Sequence, residues 1–124
     1  MAKVLVATED LLAQDQMVAT IEAEGYDAVT ANDGMEAQDV ALKEQPDLIL
    51  LEPKLAVFDG LETALALRDD PEIPDTVPIV MITDEPVDPH KVERFRITEL
   101  FPKTHGSIHL RDMVIRLLGD KAGI

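Results

Sequence analysis

Pro46-Asp47-Leu48-Ile49-Leu50-Leu51-Glu52, followed seven residues later by Asp59-Gly60-Leu61-Glu62, decides how the rest of this chain is read. Leu48 to Leu51 is an unbroken apolar run, the mark of a strand covered on both faces rather than one alternating between core and water. The run ends on an acid. Gly60 then opens a segment in which Leu61, Ala64, Leu65 and Arg68 recur at helical spacing to about Asp69. After the loop prolines Pro71 and Pro74, Val77 to Thr83 forms a second apolar run. Strand, helix and strand in that order predict a βαβ unit at the centre of a mostly parallel sheet. Pro78 stands near the start of its run, where a missing N–H is tolerated, and not in its middle.

The same alternation extends outward in both directions. On the N-terminal side, Lys3 to Thr8 reads as a strand and about Asp10 to Glu24 as a helix, with Gly25 as its left-handed stop. Ala28-Val29-Thr30 is a short strand, and a second helix is capped near Asn32 or Asp33 and ends before Pro46. On the C-terminal side, Asp88-Pro89 offers a cap followed by proline at the first helical position, predicting a short helix to about Arg96. Leu100-Phe101 is a brief edge strand. Ser107 is the expected cap of a last helix carrying Leu110, Val114, Leu117 and Leu118, which Gly119 ends. No repeat, low-complexity stretch or linker interrupts this order, so residues 1–124 read as one domain.

Composition removes several function classes. A formal net charge of -14 opposes binding to nucleic acid or anionic lipid. Lys91, Arg94, Arg96 and Lys103 nevertheless bring four of the eleven basic residues together, as a solvated face or as a basic patch for an acidic partner. No apolar stretch approaches the roughly 20 residues of a membrane span, and the N-terminus lacks signal-peptide regions, so a cytoplasmic location is expected. The chain has no cysteine, which excludes disulfides, thiolate catalysis and Cys-based metal sites. Thr8-Glu9-Asp10-Leu11 places acids where a glycine-rich phosphate loop would follow the first strand. His105 and His109 have i, i+4 spacing, but Gly106-Ser107 lies between them and no carboxylate accompanies them.

Lys3-Val4-Leu5-Val6, Glu24-Gly25-Tyr26, Ala31-Asn32-Asp33-Gly34-Met35-Glu36-Ala37 and the opening stretch occur in one register. Together they resemble the receiver domain of bacterial response regulators over essentially the whole chain. The resemblance implies an α/β fold: a flavodoxin-like, doubly wound, five-stranded parallel sheet of order 2-1-3-4-5 with five helices. Ligands in such sheets sit beyond the carboxyl ends of the strands, where the order reverses. Thr8, Glu9, Glu52, Thr83 and Lys103 are therefore predicted to converge. In receivers the matching positions hold two metal-binding acids, a nucleophilic Asp, a Ser or Thr and a Lys. Here Glu52 stands at the phosphate-accepting position, Thr8 replaces the first acid, Glu9 remains at the second, and Asp10 lies one step further on. Thr83 and Lys103 match the switch threonine and the phosphate-contacting lysine, while Leu100 occupies the place of the switch aromatic.

These changes bear on the chemistry. Glu for Asp moves the carboxylate by roughly 1.5 Å, one C–C bond, and a misplacement of about 1 Å already costs on the order of 100-fold in rate. With Thr8 uncharged, Glu9 and Glu52 hold Mg²⁺ weakly at most. Thr8 and Asp10 also read as helix-capping residues. Lys103 paired with Glu52 either imitates a phosphorylated Asp in part or is an ion pair tying the third strand to the fifth. Thr104 stands where receivers carry proline after the lysine, so that loop is expected to run trans. The Gly-Ala turn before the fifth strand is missing and the fourth helix should be short. Val57 and Phe58 are core lids or partner contacts.

The resemblance thus implies a stand-alone signalling module rather than an enzyme, poorly phosphorylated and without a resident cofactor beyond weak Mg²⁺. Its expected partner is a histidine kinase, phosphotransfer protein or output protein, met through Lys91, Arg94 and Arg96. A receiver phosphorylated slowly, or a flavodoxin-like small-molecule domain, is the alternative.

Overall fold

Side chains alternate between the two faces of a strand, and here that alternation sorts the core into two layers. In a computed structural model, described over residues 1–119, the strands are β1 (Lys3–Ala7), β2 (Asp27–Ala31), β3 (Leu48–Leu51), β4 (Ile79–Ile82) and β5 (Glu99–Phe101). They pair in parallel in the order β2-β1-β3-β4-β5. The helices are α1 (Leu11–Ala23), α2 (Gly34–Glu44), α3 (Gly60–Asp69), α4 (Pro89–Arg94) and α5 (Gly106–Leu118). Val4, Val6, Leu48, Leu50, Val80 and Ile82 face one core, shared with Met17 of α1 and Leu110 of α5. Leu5, Ala7, Ile49, Leu51, Ile79 and Met81 face the other, with Ala37 of α2 and Leu67 of α3. Every residue of β3 and β4 is buried, as their continuous apolar runs require. The doubly wound α/β arrangement and the 2-1-3-4-5 order are those implied by the resemblance. Residues 120–124 of the expected domain lie outside the described ones.

Most element ends follow from local chemistry. Asp10 caps α1 by accepting from the Leu12 and Ala13 amides, each at 3.1 Å. Asp59 and Glu62 close a reciprocal capping box on α3. Two ends depart from expectation. Helix α4 stops at Arg94, and Ser107 lies inside α5 without capping it. A 3₁₀ turn, Lys103–His105, delivers the chain to α5 with His105 already in helical conformation, so no hydroxyl is needed at Ser107 to start the helix.

The turn before β5 is present, and Arg96 makes it. Arg96 adopts φ 54°, a left-handed conformation that glycine takes without steric cost. Its guanidinium reaches back to the Arg68 carbonyl at 3.1 Å and to Asp75 at 3.3 Å. Arg68 returns the contact, donating to the Arg96 carbonyl at 3.0 Å and to the Val77 and Asp75 carbonyls at 2.7 and 3.2 Å. The two arginines therefore clasp each other's backbone and fasten α3 to the α4–β5 turn. Arg68 is buried, and this burial, followed by the nearby Arg96 charge, lowers its pKa, against which Asp75 acts. Arg96→Ala keeps the left-handed backbone and loses the contacts, whereas Arg96→Gly removes the steric cost. Urea unfolding should find the Ala variant less stable than the Gly variant by about 1 kcal/mol. Equal stabilities would show that the conformation carries no strain.

Candidate functional site

Thr8 follows Val4 and Val6, Glu52 follows Leu48 and Leu50, and Lys103 follows Phe101, so all three continue rows of side chains that face the α1–α5 core. They meet at the carboxyl end of the sheet. Thr8 Oγ1 donates to Glu52 Oε1 at 2.5 Å, and Lys103 Nζ donates to Glu52 Oε2 at 3.1 Å. Thr8 Oγ1 also accepts the Asp10 amide at 3.0 Å. Thr8 is fully enclosed, Glu52 is 8% exposed, and the Lys103 side chain is 38% exposed. Each Glu52 oxygen thus accepts a strong, charge-assisted bond, and the one from Lys103 joins opposite charges. Gly60 permits the close fit beneath: a Cβ there would stand 2.3 Å from the Glu52 carbonyl oxygen.

The other expected residues reach the same end of the sheet and bind elsewhere. Thr83 continues the Ile79 and Met81 row, which faces the opposite core, and its hydroxyl accepts the Glu85 amide at 3.0 Å. Glu9 Oε1 accepts the Ala56 amide at 2.6 Å, tying the β1–α1 loop to the β3–α3 loop. The two carboxylates expected to share Mg²⁺ are therefore engaged separately, Glu9 by backbone and Glu52 by Thr8 and Lys103. Among the described residues, no three His, Cys, Asp or Glu side chains group as metal ligands. Mg²⁺ takes one or two carboxylates and completes its octahedron with water, and Glu9 and Glu52, the carboxylates that would hold it, are here drawn to different partners.

One tie escaped the sequence reading. Asp84 Oδ1 accepts both the amide and the hydroxyl of Thr104, each at 3.2 Å, joining the β4–α4 and β5–α5 loops across the site. A proline at position 104 would supply neither donor. The described residues contain no cis peptide bond, so the Lys103–Thr104 link is trans.

The expected partner face is smaller than its sequence suggests. Lys91 and Arg94 of α4 and Leu100 of β5 are exposed, with the Arg94 guanidinium 5.7 Å from the centre of the Phe95 ring. Arg96 does not join them, because its clasp with Arg68 and Asp75 turns it away. In the β3–α3 loop, Leu55 is the buried lid, while Val57 and Phe58 are 63% and 39% exposed. Val57 adopts φ 68°, unusual for a β-branched residue.

Residues 4–114 match the family model described as the response regulator receiver domain. Among curated proteins, the chain is 40% identical over 63 residues to the polar-differentiation response regulator DivK of Brucella anthropi, covering 51% of this chain and 50% of that one. It is 27% identical over 126 residues to the DNA-binding dual master transcriptional regulator RpaA of Synechocystis, covering 92% of this chain and 52% of that one. The chain spans about half the length of the curated relatives it matches. Among solved structures, the chemotaxis response regulator CheY4 of Vibrio cholerae superposes with a TM-score of 0.88 at 28% identity, covering 95% of this chain and 99% of that one. The N-terminal domain of a response regulator receiver protein from Methanoculleus marisnigri superposes with a TM-score of 0.76 at 26% identity, covering 96% and 98%.

Proposed function

Because this chain belongs to the response regulator receiver domain family, we propose that it is a receiver of two-component signalling that does not accept phosphate efficiently and acts by protein–protein contact. The observation that carries this reading is the engagement of Glu52, whose two oxygens each accept a hydrogen bond, one from Thr8 and one from Lys103. In-line attack on a phosphoryl group needs a carboxylate oxygen at the right reach and a metal cation to neutralise the incoming charge. Glu52 is longer than Asp by one methylene and is tied by two hydrogen bonds, and Thr8 stands where one of the metal-binding acids would be. The ion pair from β3 to the β5–α5 connection instead holds the site in one arrangement, with one carboxylate where a phosphorylated Asp would carry more charge and more acceptors.

On this reading the chain acts as a cytoplasmic interaction module, not an enzyme, and binds Mg²⁺ weakly at most. Among the described residues no helix is long and apolar enough to cross a membrane. The partner is a histidine kinase, phosphotransfer protein or output protein with an acidic surface for Lys91 and Arg94. The net charge of -14 disfavours nucleic acid. The tethered protein should capture such a partner from source-cell lysate without any phosphodonor. Lys91→Glu with Arg94→Glu should reduce that capture strongly, as should salt near about 0.5 M, where exposed charges are screened. The thermal midpoint should stay nearly unchanged, because both side chains are exposed. Capture that survives both treatments moves the interface elsewhere, with Val57 and Phe58 as the next residues to change.

A further inference from the structure

Small side chains on facing helices leave space between them. Ala13 of α1 and Gly106 and Ser107 of α5 open a groove of about 500 Å³ between these helices, within the roughly 300–1,000 Å³ range of small-molecule sites. Met17, Ile82, Phe101 and Leu110 supply its apolar lining, and Glu52 and Lys103 close its upper end. The groove thus combines an apolar body with one polar end, the usual design of a small-ligand site.

The polar end selects the ligand. An ammonium carries three N–H donors, and the hydrogen bond of Lys103 among the described residues goes to Glu52 Oε2 alone. Donors therefore remain for a ligand oxygen. Lys103 stands beside Glu52 at that end, so an ammonium group entering there would meet a like charge. An anion is opposed by the adjacent Glu52 carboxylate and by the net charge of -14. From these constraints we infer that the α1–α5 groove binds a neutral, largely apolar small molecule bearing a hydrogen-bond acceptor, such as a carbonyl, directed at Lys103. The molecule lies against Phe101, whose ring meets the His105 ring edge-on at 5.5 Å. Such a site gives the module a chemical input at the position where phosphate is no longer received. The role of the groove as an input rests on the proposed function, whereas binding to the unphosphorylated protein is tested separately, so the two can fail independently.

Nile red, a neutral aromatic dye with a carbonyl, is a suitable probe, because its emission reports the polarity of its surroundings. Titrated with the full chain, it should show saturable binding with one dye per protein and a blue-shifted emission. Diphenylhexatriene, which lacks an acceptor, should bind about fivefold more weakly, the loss of one hydrogen bond. Anilinonaphthalene sulfonate, an anion, should bind more weakly still. Gln16→Trp, a change at an exposed groove position that spares the core, should weaken Nile red at least about tenfold by filling the space. Ala13→Phe tests the same space from deeper in the groove, with circular dichroism confirming the fold. Val57→Asn should leave binding unchanged. Absence of saturable binding overturns the proposal. So does stronger binding of the anionic dye, or a signal that survives both groove variants and falls with Val57→Asn.

Discussion

Incubated with acetyl phosphate and Mg²⁺, the protein is expected to keep its intact mass, whereas a receiver with its aspartate in place gains about 80 Da as one phosphoryl group. The expectation rests on three observations together: the added methylene of Glu52, the hydrogen bonds on both its oxygens, and the engagement of Glu9 by the Ala56 amide. Glu52→Asp alone corrects the reach and leaves the metal site short of an acid. Glu52→Asp with Thr8→Asp corrects both, and it also removes the hydroxyl that occupies Glu52 Oε1. Phosphorylation should therefore return only in the double variant, with a difference on the order of 100-fold or more between the two, because a bound cation stabilises the transition-state charge by several kcal/mol. A mass gain mapping to Glu52 in the unaltered protein would replace the proposed function with that of a slowly phosphorylated receiver. Equal rates in the single and double variants would remove Thr8 from the account.

Arg68→Met should produce the largest loss of stability among single changes outside the apolar core. The methionine fills similar space but leaves the Arg96, Asp75 and Val77 carbonyls without their donor. Unmet buried acceptors cost on the order of 1–3 kcal/mol each, and partial access to water reduces the sum to about 3 kcal/mol. In a chain of 124 residues that corresponds to a fall of roughly 10 °C in Tm. Arg68→Lys should fall between the two, because one ammonium cannot span the carbonyls that a planar fork reaches. Thermal melts followed by far-UV circular dichroism decide the matter. An unchanged midpoint for Arg68→Met would mean that the clasp is dispensable.

Position 68 also illustrates what could be read without coordinates. Its spacing with Leu61, Ala64 and Leu65 placed it on the core-facing side of a helix, and burial follows from that placement. The carbonyls it serves come from the β4 approach and the α4–β5 turn, and backbone acceptors leave no mark on a sequence. The same holds for Glu9, whose partner is an amide of a loop 47 residues away. The left-handed turn at Arg96 was hidden because its residue type gave no warning; glycine is the usual sign of that conformation. By contrast, the strand centres were legible because burial on both faces demands unbroken apolar runs. The Thr8–Glu52–Lys103 convergence was legible because all three stand at or just beyond the carboxyl ends of strands whose order the resemblance supplied.

The brevity of β5 bears on how the protein behaves when crowded. An outer strand normally displays a row of free amides and carbonyls, an invitation to pair with another chain. Here that margin is three residues long, carries Glu99 held by Arg116 at 2.9 Å, and is closed by Pro102, which has no amide to give. The opposite margin, β2, begins with exposed Asp27, and a copy approaching edge-on would bring a second net charge of -14. Growth of the sheet from molecule to molecule is thus blocked at both ends, and concentrated protein should resist fibrous aggregation. Self-association, where it occurs, is left to the helical faces.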